Sequence, residues 1–376
     1  FSQLATLTPG LGANSISASG GLAFDEDGLA LAGLDVALDQ NRITGGADVI
    51  FQDDRPVVTA EINLGAFDLS SADTPADEAE GPKGWSREPI DVSFLDALDG
   101  RIRVSASSMA IGTARLGPAV LTTNIDDRRA VTTINEMSAY DGEIGGDVIL
   151  NGRGGFSTRV DVAGSALAIS RLLSELIGYD RLIAAGDLSL NVLGSGPHMD
   201  AVMNSLSGEG QFNVGAGELI GLDIVGMIRN LDPGFIGESR RTIFDEIKVS
   251  FRVVDGVVIY EDLSVLAPLF RASGTGRIGL GGQTLDMRLL PELLGGERAG
   301  IRVPLMISGT WDAPRVGLDL ENMARQAIES EISRQLQQQG AESLGVTMEE
   351  GQSVEDAVRD RLEDELRKGL GGLFGR

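Results

Sequence analysis

Few residues in this chain of 376 have the chemistry of a catalytic or metal centre. There is no cysteine, which excludes a disulfide framework, a thiolate metal site and a cysteine nucleophile. The single histidine, His198, ends the turn-forming sequence Gly-Ser-Gly-Pro-His, and one imidazole cannot form a multi-histidine metal site. We interpret His198 as an ordinary loop residue.

Acidic residues are plentiful and form clusters at 25–27 and 53–54. Paired carboxylates could serve a glycosidase, and clustered ones could bind calcium. Both clusters lie in turn-like sequence, where Asp is favoured by local hydrogen bonds, so solvated turns are the simpler interpretation. A carbohydrate-acting solenoid would also need a regular coil repeat, which is missing, and only 5% of the residues are aromatic. We therefore expect a protein that is not an enzyme, with no catalytic residues, no metal and no cofactor.

The sequence Gly-Thr-Gly-Arg-Ile-Gly at 274–279 matches the dinucleotide fingerprint G-x-G-x-x-G. That motif binds a dinucleotide only where a strand precedes it and a helix begins within it, whereas strand-like sequence lies on both sides here. A four-residue loop at Gly281–Thr284 predicts that Leu280 pairs with Leu285 and Ile278 with Met287. We interpret the glycines as keeping the inner face of a sheet shallow.

The net charge is −25, and Lys and Arg are scattered along the chain. Phosphate backbones would be repelled, so we expect no nucleic-acid partner. No stretch reaches the roughly 18 apolar residues that a transmembrane helix needs. Because the sequence starts at Phe1 rather than Met, we expect an anchor or signal to precede it in the full-length protein.

The elements that would position any site are strands. Residues 245–263 alternate between apolar and polar types around a turn, the two-residue period of a strand with one buried face. A three-residue loop at 254–256, with Gly256 left-handed, predicts that Phe251 pairs with Ile259 and Ile247 with Leu263. This register puts all apolar residues on one face except Val258 and Tyr260. The same alternation recurs at residues 58–64, 102–106, 188–192, 270–289 and 301–307.

The strand pattern continues to residue 318, which favours one elongated domain over residues 1–318. Residues 71–90 are rich in Ala, Pro, Asp and Glu without periodicity, which predicts a mobile loop excursion. Short helices are predicted at 168–177 and 222–231. In residues 319–376 apolar side chains recur at helical spacing, and a capping-box sequence begins at Ser353, so this segment is predicted to be an amphipathic helical tail.

Three stretches combine Gly, Ser and Leu in a specific pattern: LSGEGQFNVGAGELIGLDIVGMIRNL at 206–231, LSVLAPLFRASGTGRIGLGGQTLDMRLLPELLG at 263–295 and VPLMISGTWDAPRVGLDL at 303–320. Together they resemble the carboxy-terminal region of the AsmA family of Gram-negative envelope proteins, and residues 15–38 and 84–106 are similar too. The resemblance implies a mainly β protein whose long antiparallel sheet curls into an open groove, apolar inside and polar outside. It also implies a periplasmic location, an inner-membrane anchor, and a role in moving phospholipid toward the outer membrane or maintaining that membrane. The family supplies no known catalytic residues.

Phospholipid acyl chains suit such a groove, because they ask for no hydrogen bonds from a wall whose backbone groups are already paired. The expected partners are these acyl chains, the inner membrane through the missing N-terminal anchor, and the outer membrane through the C-terminal end. The residues expected to line the groove are Val58, Ile62, Ile102, Val104, Leu188, Leu190, Val249, Phe251, Phe270, Ile278, Met287, Val303 and Leu305.

A second interpretation leaves lipid out. The protein would then be a structural or assembly factor for outer-membrane biogenesis, with its apolar face closed by its own helices or by a partner. An interior filled with side chains would favour this alternative.

Overall fold

The structure, a computed structural model, describes residues 15–52, 55–69, 84–111, 114–295 and 302–319. Within these ranges one open sheet of 20 strands forms most of the protein. The first ten strands are β1 (Ile16–Phe24), β2 (Gly28–Leu38), β3 (Asn41–Ile50), β4 (Val57–Asn63), β5 (Ala66–Leu69), β6 (Asp99–Ala106), β7 (Ser108–Ile111), β8 (Ala114–Asp126), β9 (Arg129–Ala139) and β10 (Gly142–Asn151). The other ten are β11 (Ser157–Ala168), β12 (Leu182–Ser195), β13 (Ser207–Leu222), β14 (Ile236–Phe244), β15 (Glu246–Val254), β16 (Val257–Leu266), β17 (Phe270–Gly279), β18 (Thr284–Leu293), β19 (Leu305–Thr310) and β20 (Ala313–Leu318).

The sheet is a long meander, as the alternating sequence predicts. Most strands that are consecutive in the chain are antiparallel neighbours in the sheet. Strand β14 pairs only with residues 217–222 of β13, whereas β15 pairs with residues 208–214 of the same strand. Strands β1 and β20 each pair with a single strand and not with each other, so the sheet does not close on itself within the described residues. The predicted mainly β, open architecture is confirmed.

Two pairs, β4–β6 and β5–β7, are parallel, which alternation alone did not predict. A parallel pair requires a connection that returns the chain across the sheet before the next strand begins. The predicted excursion at 71–90 lies in this connection. Residues 71–83 are outside the described ranges, whereas residues 84–90 pack against the sheet: the indole Nε1 of Trp85 donates to the carbonyl of Leu280 at 2.7 Å, and the amide of Ile90 donates to Pro197.

Three short helices and one 3-10 turn interrupt the sheet: α1 (Ile169–Ile177), α2 (Met199–Ser205), α3 (Ile224–Asn230) and the turn Ser93–Asp96. The helices predicted at 168–177 and 222–231 are confirmed as α1 and α3, while α2 and the 3-10 turn were not predicted. His198 lies in the loop before α2, as predicted, but it has a structural role that was not predicted. Its Nδ1 accepts a hydrogen bond of 3.0 Å from the amide of Ala201, so it caps the start of α2.

The strand ends form two long rims. The α2 rim contains α2 and the turns that join β8 to β9, β10 to β11 and β15 to β16, whereas the α3 rim contains α1, α3 and the turn that joins β9 to β10. Among the described residues, the longest helix is α1 with nine residues, and none is long and apolar enough to cross a membrane. The predicted tail, beyond residue 319, lies outside the described ranges.

The hairpin of β15 and β16 corrects the predicted register. The turn has two central residues, Asp255 and Gly256, both with positive φ (47° and 71°), so Val253 pairs with Val258 rather than Val257. Asp-Gly is a preferred sequence for this type I′ turn, whose backbone twist matches that of the strands. Val258 and Tyr260 therefore lie on the apolar face, and a β-bulge after Tyr260 returns Leu263 to the same face.

The glycine-rich motif at 274–279 forms the second half of β17, and a loop rather than a helix follows it. The loop has four residues, as predicted, but begins one residue earlier, so Ile278 pairs with Leu285 and Gly276 with Met287, which preserves the face of each residue. The glycines do not leave the face shallow, because the side chains of Leu263 and Tyr260 lie where Cβ atoms of Gly274 and Gly276 would be.

The main core lies on one face of the sheet, between β11 and β19, near the α3 rim. Met227 and Ile228 of α3 are fully buried there, together with Ile169 of α1 and Phe270 of β17. Thr242 fixes the start of α3, because its hydroxyl accepts from the amide of Ile224 and donates to the carbonyl of Leu222. Since α3 contacts both β14 and β18, the sheet bends around this helix.

Candidate functional site

One face of the sheet carries an uninterrupted row of residues from β4 to β15, which we call the central row. Each member pairs with the next one in the neighbouring strand, so all point to the same side. The central row consists of Ile62, Val104, Leu121, Ile134, Gly146, Val162, Leu190, Gly210 and Phe251. Nothing in it is polar, so this side of the sheet, the apolar face, presents a continuous hydrocarbon surface.

Twelve of the thirteen residues predicted to line a groove lie on the apolar face by strand register, and Val303 lies two residues before β19. Ten are half-buried: Val58, Ile62, Ile102, Val104, Leu188, Leu190, Val249, Phe251, Ile278 and Met287. Phe270, Val303 and Leu305 are instead fully buried in the main core. These three contact protein on all sides and are not available to a ligand in this structure.

The cover over the apolar face differs between its parts. From β4 to β12, every central-row member that has a side chain is half-buried, although α1 contacts β11 and β12, α2 contacts β12, and Leu95 of the 3-10 turn packs against Ile125 and Ala130. Between β13 and β19, near the α3 rim, Val214 and Leu289 are buried under the core that α1 and α3 complete. The face is thus filled by the chain's own side chains along parts of both rims, and the central row between them stays half-buried.

The opposite face is polar and wetted. On β15, Lys248, Ser250 and Arg252 are exposed between the apolar residues of the strand. On β11 and β12, the amide nitrogen of Asn191 donates to Asp161 at 2.8 Å, and Arg159 donates to the oxygen of the same amide. The sheet therefore separates an oily surface from a hydrogen-bonded one along its whole length.

A cavity of about 710 Å³ follows the central row across β10–β13, β15 and β16. Its lining includes Gly146, Val162, Leu190, Gly210 and Phe251 from the central row, together with Tyr260. By strand register the side chains of most other lining residues, among them Asp161, Glu209 and Arg252, belong to the opposite, polar face, so the cavity does not define a groove on the apolar face. The cavity therefore runs across the strands, which is the direction along the sheet.

Tyr260 is the exceptional polar group of the apolar face. The residue is 5% exposed, and its hydroxyl has no hydrogen-bond partner among the described residues. Burial, reinforced by the negative charge of Asp286, raises the pKa of Tyr260 to about 12. The phenol therefore stays protonated and available as a donor at any physiological pH.

Sequence reasoning missed Tyr260 because the assumed three-residue loop placed it on the polar face. The dipeptide Asp255-Gly256 carried the signal for the shorter turn. It also missed Leu22 and Phe24 of β1, which pair with Leu31 and Leu29 of β2 and extend the apolar face to the first strand. These two side chains are 67% and 73% exposed, and Phe24 contacts Phe51 with ring centroids 6.2 Å apart.

Comparison with known proteins gives one match. The family model described as the AsmA family matches residues 69–263, which is more than half of the chain and includes β6 to β15. No curated protein and no solved structure matches. The matched region contains most of the central row and all three helices. The AsmA family is associated with the cell envelope, and this chain belongs to it.

Proposed function

We propose that the chain binds phospholipid acyl chains along its apolar face and supports lipid movement between the inner and outer membranes, without catalysing a reaction. The observation that carries the proposal is the central row: nine consecutive strands offer apolar or glycine positions in register, and their side chains are only half-buried. A soluble protein rarely leaves so continuous an apolar surface without a ligand or partner.

The energetics suit a holder of lipid tails. Burial contributes about 0.8 kcal/mol per methylene, so a sixteen-carbon tail gains on the order of 10 kcal/mol before ordering costs and incomplete burial reduce it. The lipid head group can stay in water at the open side, because the sheet does not close. Family membership supports a site of action in the envelope, and we place the chain in the periplasm, tethered to the inner membrane upstream and reaching the outer membrane through its C-terminal end.

Movement along the face requires a low barrier. Neighbouring strands lie about 4.8 Å apart, so a tail that advances by one strand exchanges one set of apolar contacts for a similar set. Half-buried residues of similar size, such as Ile62, Val104 and Leu121, make successive positions nearly equivalent. The barrier to sliding is therefore small compared with the total holding energy.

The second candidate function is a structural or assembly factor whose apolar face is closed within the protein. The packing of α1 and α3 over β13–β19 favours it, because there the face is filled by side chains. Between the two rims, the central row from β4 to β12 stays half-buried. The two functions therefore differ in what covers this second region.

The test is a charge placed on the apolar face. Ile278→Asp puts a carboxylate on this face of β17, whereas Ser273→Asp puts one on the exposed face of the same strand. We expect Ile278→Asp to reduce binding of a fluorescent phospholipid, and its transfer between vesicles, by at least about tenfold, since a charge cannot be buried against a hydrocarbon tail without a partner. Ser273→Asp should bind as the unmodified protein does.

A second pair of variants lies outside the main core, so the result does not depend on packing there. Val58→Asp and Thr59→Asp occupy adjacent positions of β4, where no buried cluster lies. Both variants should unfold at the same urea concentration, and only Val58→Asp should lose lipid. Equal lipid binding by folded Val58→Asp and Thr59→Asp would contradict the proposal and favour the assembly factor.

A further inference from the structure

The phenol hydroxyl of Tyr260 is a hydrogen-bond donor that lies among apolar side chains on the apolar face. Apart from glycine, the positions around it on the apolar face carry hydrocarbon side chains or the thioether of Met287, and the described residues supply no acceptor within hydrogen-bond distance of its hydroxyl. Buried polar groups in native proteins nearly always have a partner, so a persistent exception calls for a ligand that supplies one.

The backbone makes room for this ring. Tyr260 pairs with Gly276, and the hydroxyl lies where a Cβ atom at that position would stand, so any other residue there would displace the phenol. The bulge that follows Tyr260 keeps both it and Leu263 on the apolar face. The next residue in this row is Met287, which is half-buried and has the most flexible of the apolar side chains. An acceptor can therefore reach the hydroxyl by displacing an adaptable side chain rather than backbone.

A nearby charge restricts the acceptor. Asp286 acts on the phenol electrostatically. A carboxylate or a phosphate at the hydroxyl would be repelled by this negative charge, whereas a neutral carbonyl oxygen would not. A carbonyl flanked by long hydrocarbon chains fits both the donor and the apolar wall.

We propose that the hydroxyl of Tyr260 donates a hydrogen bond to an ester carbonyl oxygen of a diacyl phospholipid and so selects ester-linked lipids on the apolar face. The inference rests on the proposed function, because it assumes that acyl chains occupy that face. It assigns one residue the recognition of the junction between the chains and the head group. Binding of the chains themselves depends on the apolar row.

The experiment compares dipalmitoyl phosphatidylethanolamine with its dihexadecyl ether analogue, which has the same chains and head group but no carbonyl. Affinities for the intact chain are measured by native mass spectrometry. The unmodified protein should bind the ester about three- to tenfold more tightly, the contribution of one net hydrogen bond. Tyr260→Phe should bind both lipids equally, with the affinity that the unmodified protein has for the ether.

The matched control is Tyr179→Phe, since Tyr179 is exposed near the end of α1 and away from the central row. It should keep the preference for the ester. Equal binding of ester and ether by the unmodified protein, or an unchanged preference in Tyr260→Phe, overturns the inference while lipid binding itself stands. Palmitate provides the third arm: if Tyr260→Phe weakens palmitate alone, the acceptor is a carboxylate and the ester assignment is wrong. If neither phospholipid binds the unmodified protein, the proposed function fails instead.

Discussion

At the scale of single residues, the shape of the apolar face depends on which residue lies opposite each side chain on the neighbouring strand. Gly210 and Gly276 have no side chain, and the rings of Phe251 and Tyr260 occupy the space above them. Alternation in the sequence identified Phe251 as inward-facing but put Tyr260 outward. A turn that is longer or shorter by one residue decides on which face Tyr260 lies. The side-chain period of a strand is two, so a shift by one position reverses every face.

Tyr140, which is half-buried, and Tyr260, which is buried, differ in their hydrogen bonds, which predicts different effects on stability. The hydroxyl of Tyr140 donates to Glu175 of α1 at 2.7 Å, whereas that of Tyr260 has no partner among the described residues. In lipid-free protein, Tyr140→Phe should lower the free energy of unfolding by about 1 kcal/mol, the net worth of one hydrogen bond. Tyr260→Phe should leave it unchanged or raise it. Urea unfolding of both variants measures the difference, and an equal loss in both would mean that Tyr260 is satisfied within the protein.

At the scale of elements, the positions of the strands were predictable, whereas the short helix α2 and the β-bulges were not. Alternation located β4, β6 and β15 to β17 because one buried face imposes a strict period. It did not reveal α2, whose seven residues are too few to show a helical stripe and whose start is fixed by the single side chain of His198. Bulges, as after Tyr260, also escape a pattern of constant period.

Helix α2 is held at its rim by a glycine, which provides a prediction for the elements. Gly256 has φ of 71° and lies against the carbonyl of Met203, and its amide donates to Leu206 at 2.9 Å. Gly154 has nearly the same φ, 70°, but nothing within 4 Å of a Cβ atom. Both Gly→Ala variants are strained by the left-handed conformation, at roughly 1–2 kcal/mol.

Gly256→Ala should cost about 1–3 kcal/mol more than Gly154→Ala, because its methyl group must also push α2 away from the sheet. Urea unfolding gives the two values, and hydrogen exchange at Val202 and Leu206 reports whether α2 loosens. Equal costs in the two variants would show that the contact between this turn and α2 does not restrain the helix.

At the scale of the whole molecule, sequence and resemblance predicted an open sheet with one oily side, and the structure has it. The parallel pairs β4–β6 and β5–β7 were not predictable, because a return of the chain across a sheet leaves no periodic signature at the strands it joins. The uneven cover of the apolar face was not predictable either, because it depends on where α1 and α3 pack rather than on any strand. The cover leaves the central row as a half-covered region between two rims that side chains fill in part.

The half-covered region is the part of the molecule where the proposed lipid binding can be tested most directly. The central row alone spans eight strand spacings of about 4.8 Å, or roughly 40 Å, which exceeds the ~30 Å hydrocarbon core of a bilayer. A lipid tail lying on this row would touch alternate residues of each strand. Residues between them would touch water.

The most direct measurement is photo-crosslinking to phospholipid from a probe amino acid placed along two neighbouring strands. The inward positions are Val58 and Ile62 of β4 and Ile102 and Val104 of β6, and the outward ones are Thr59, Glu61, Arg101 and Arg103. The account predicts lipid adducts at the four inward positions and none at the four outward ones, a two-residue period on both strands. Adducts without that alternation, or none at any position in the folded protein, would contradict the claim that the apolar face is covered by lipid.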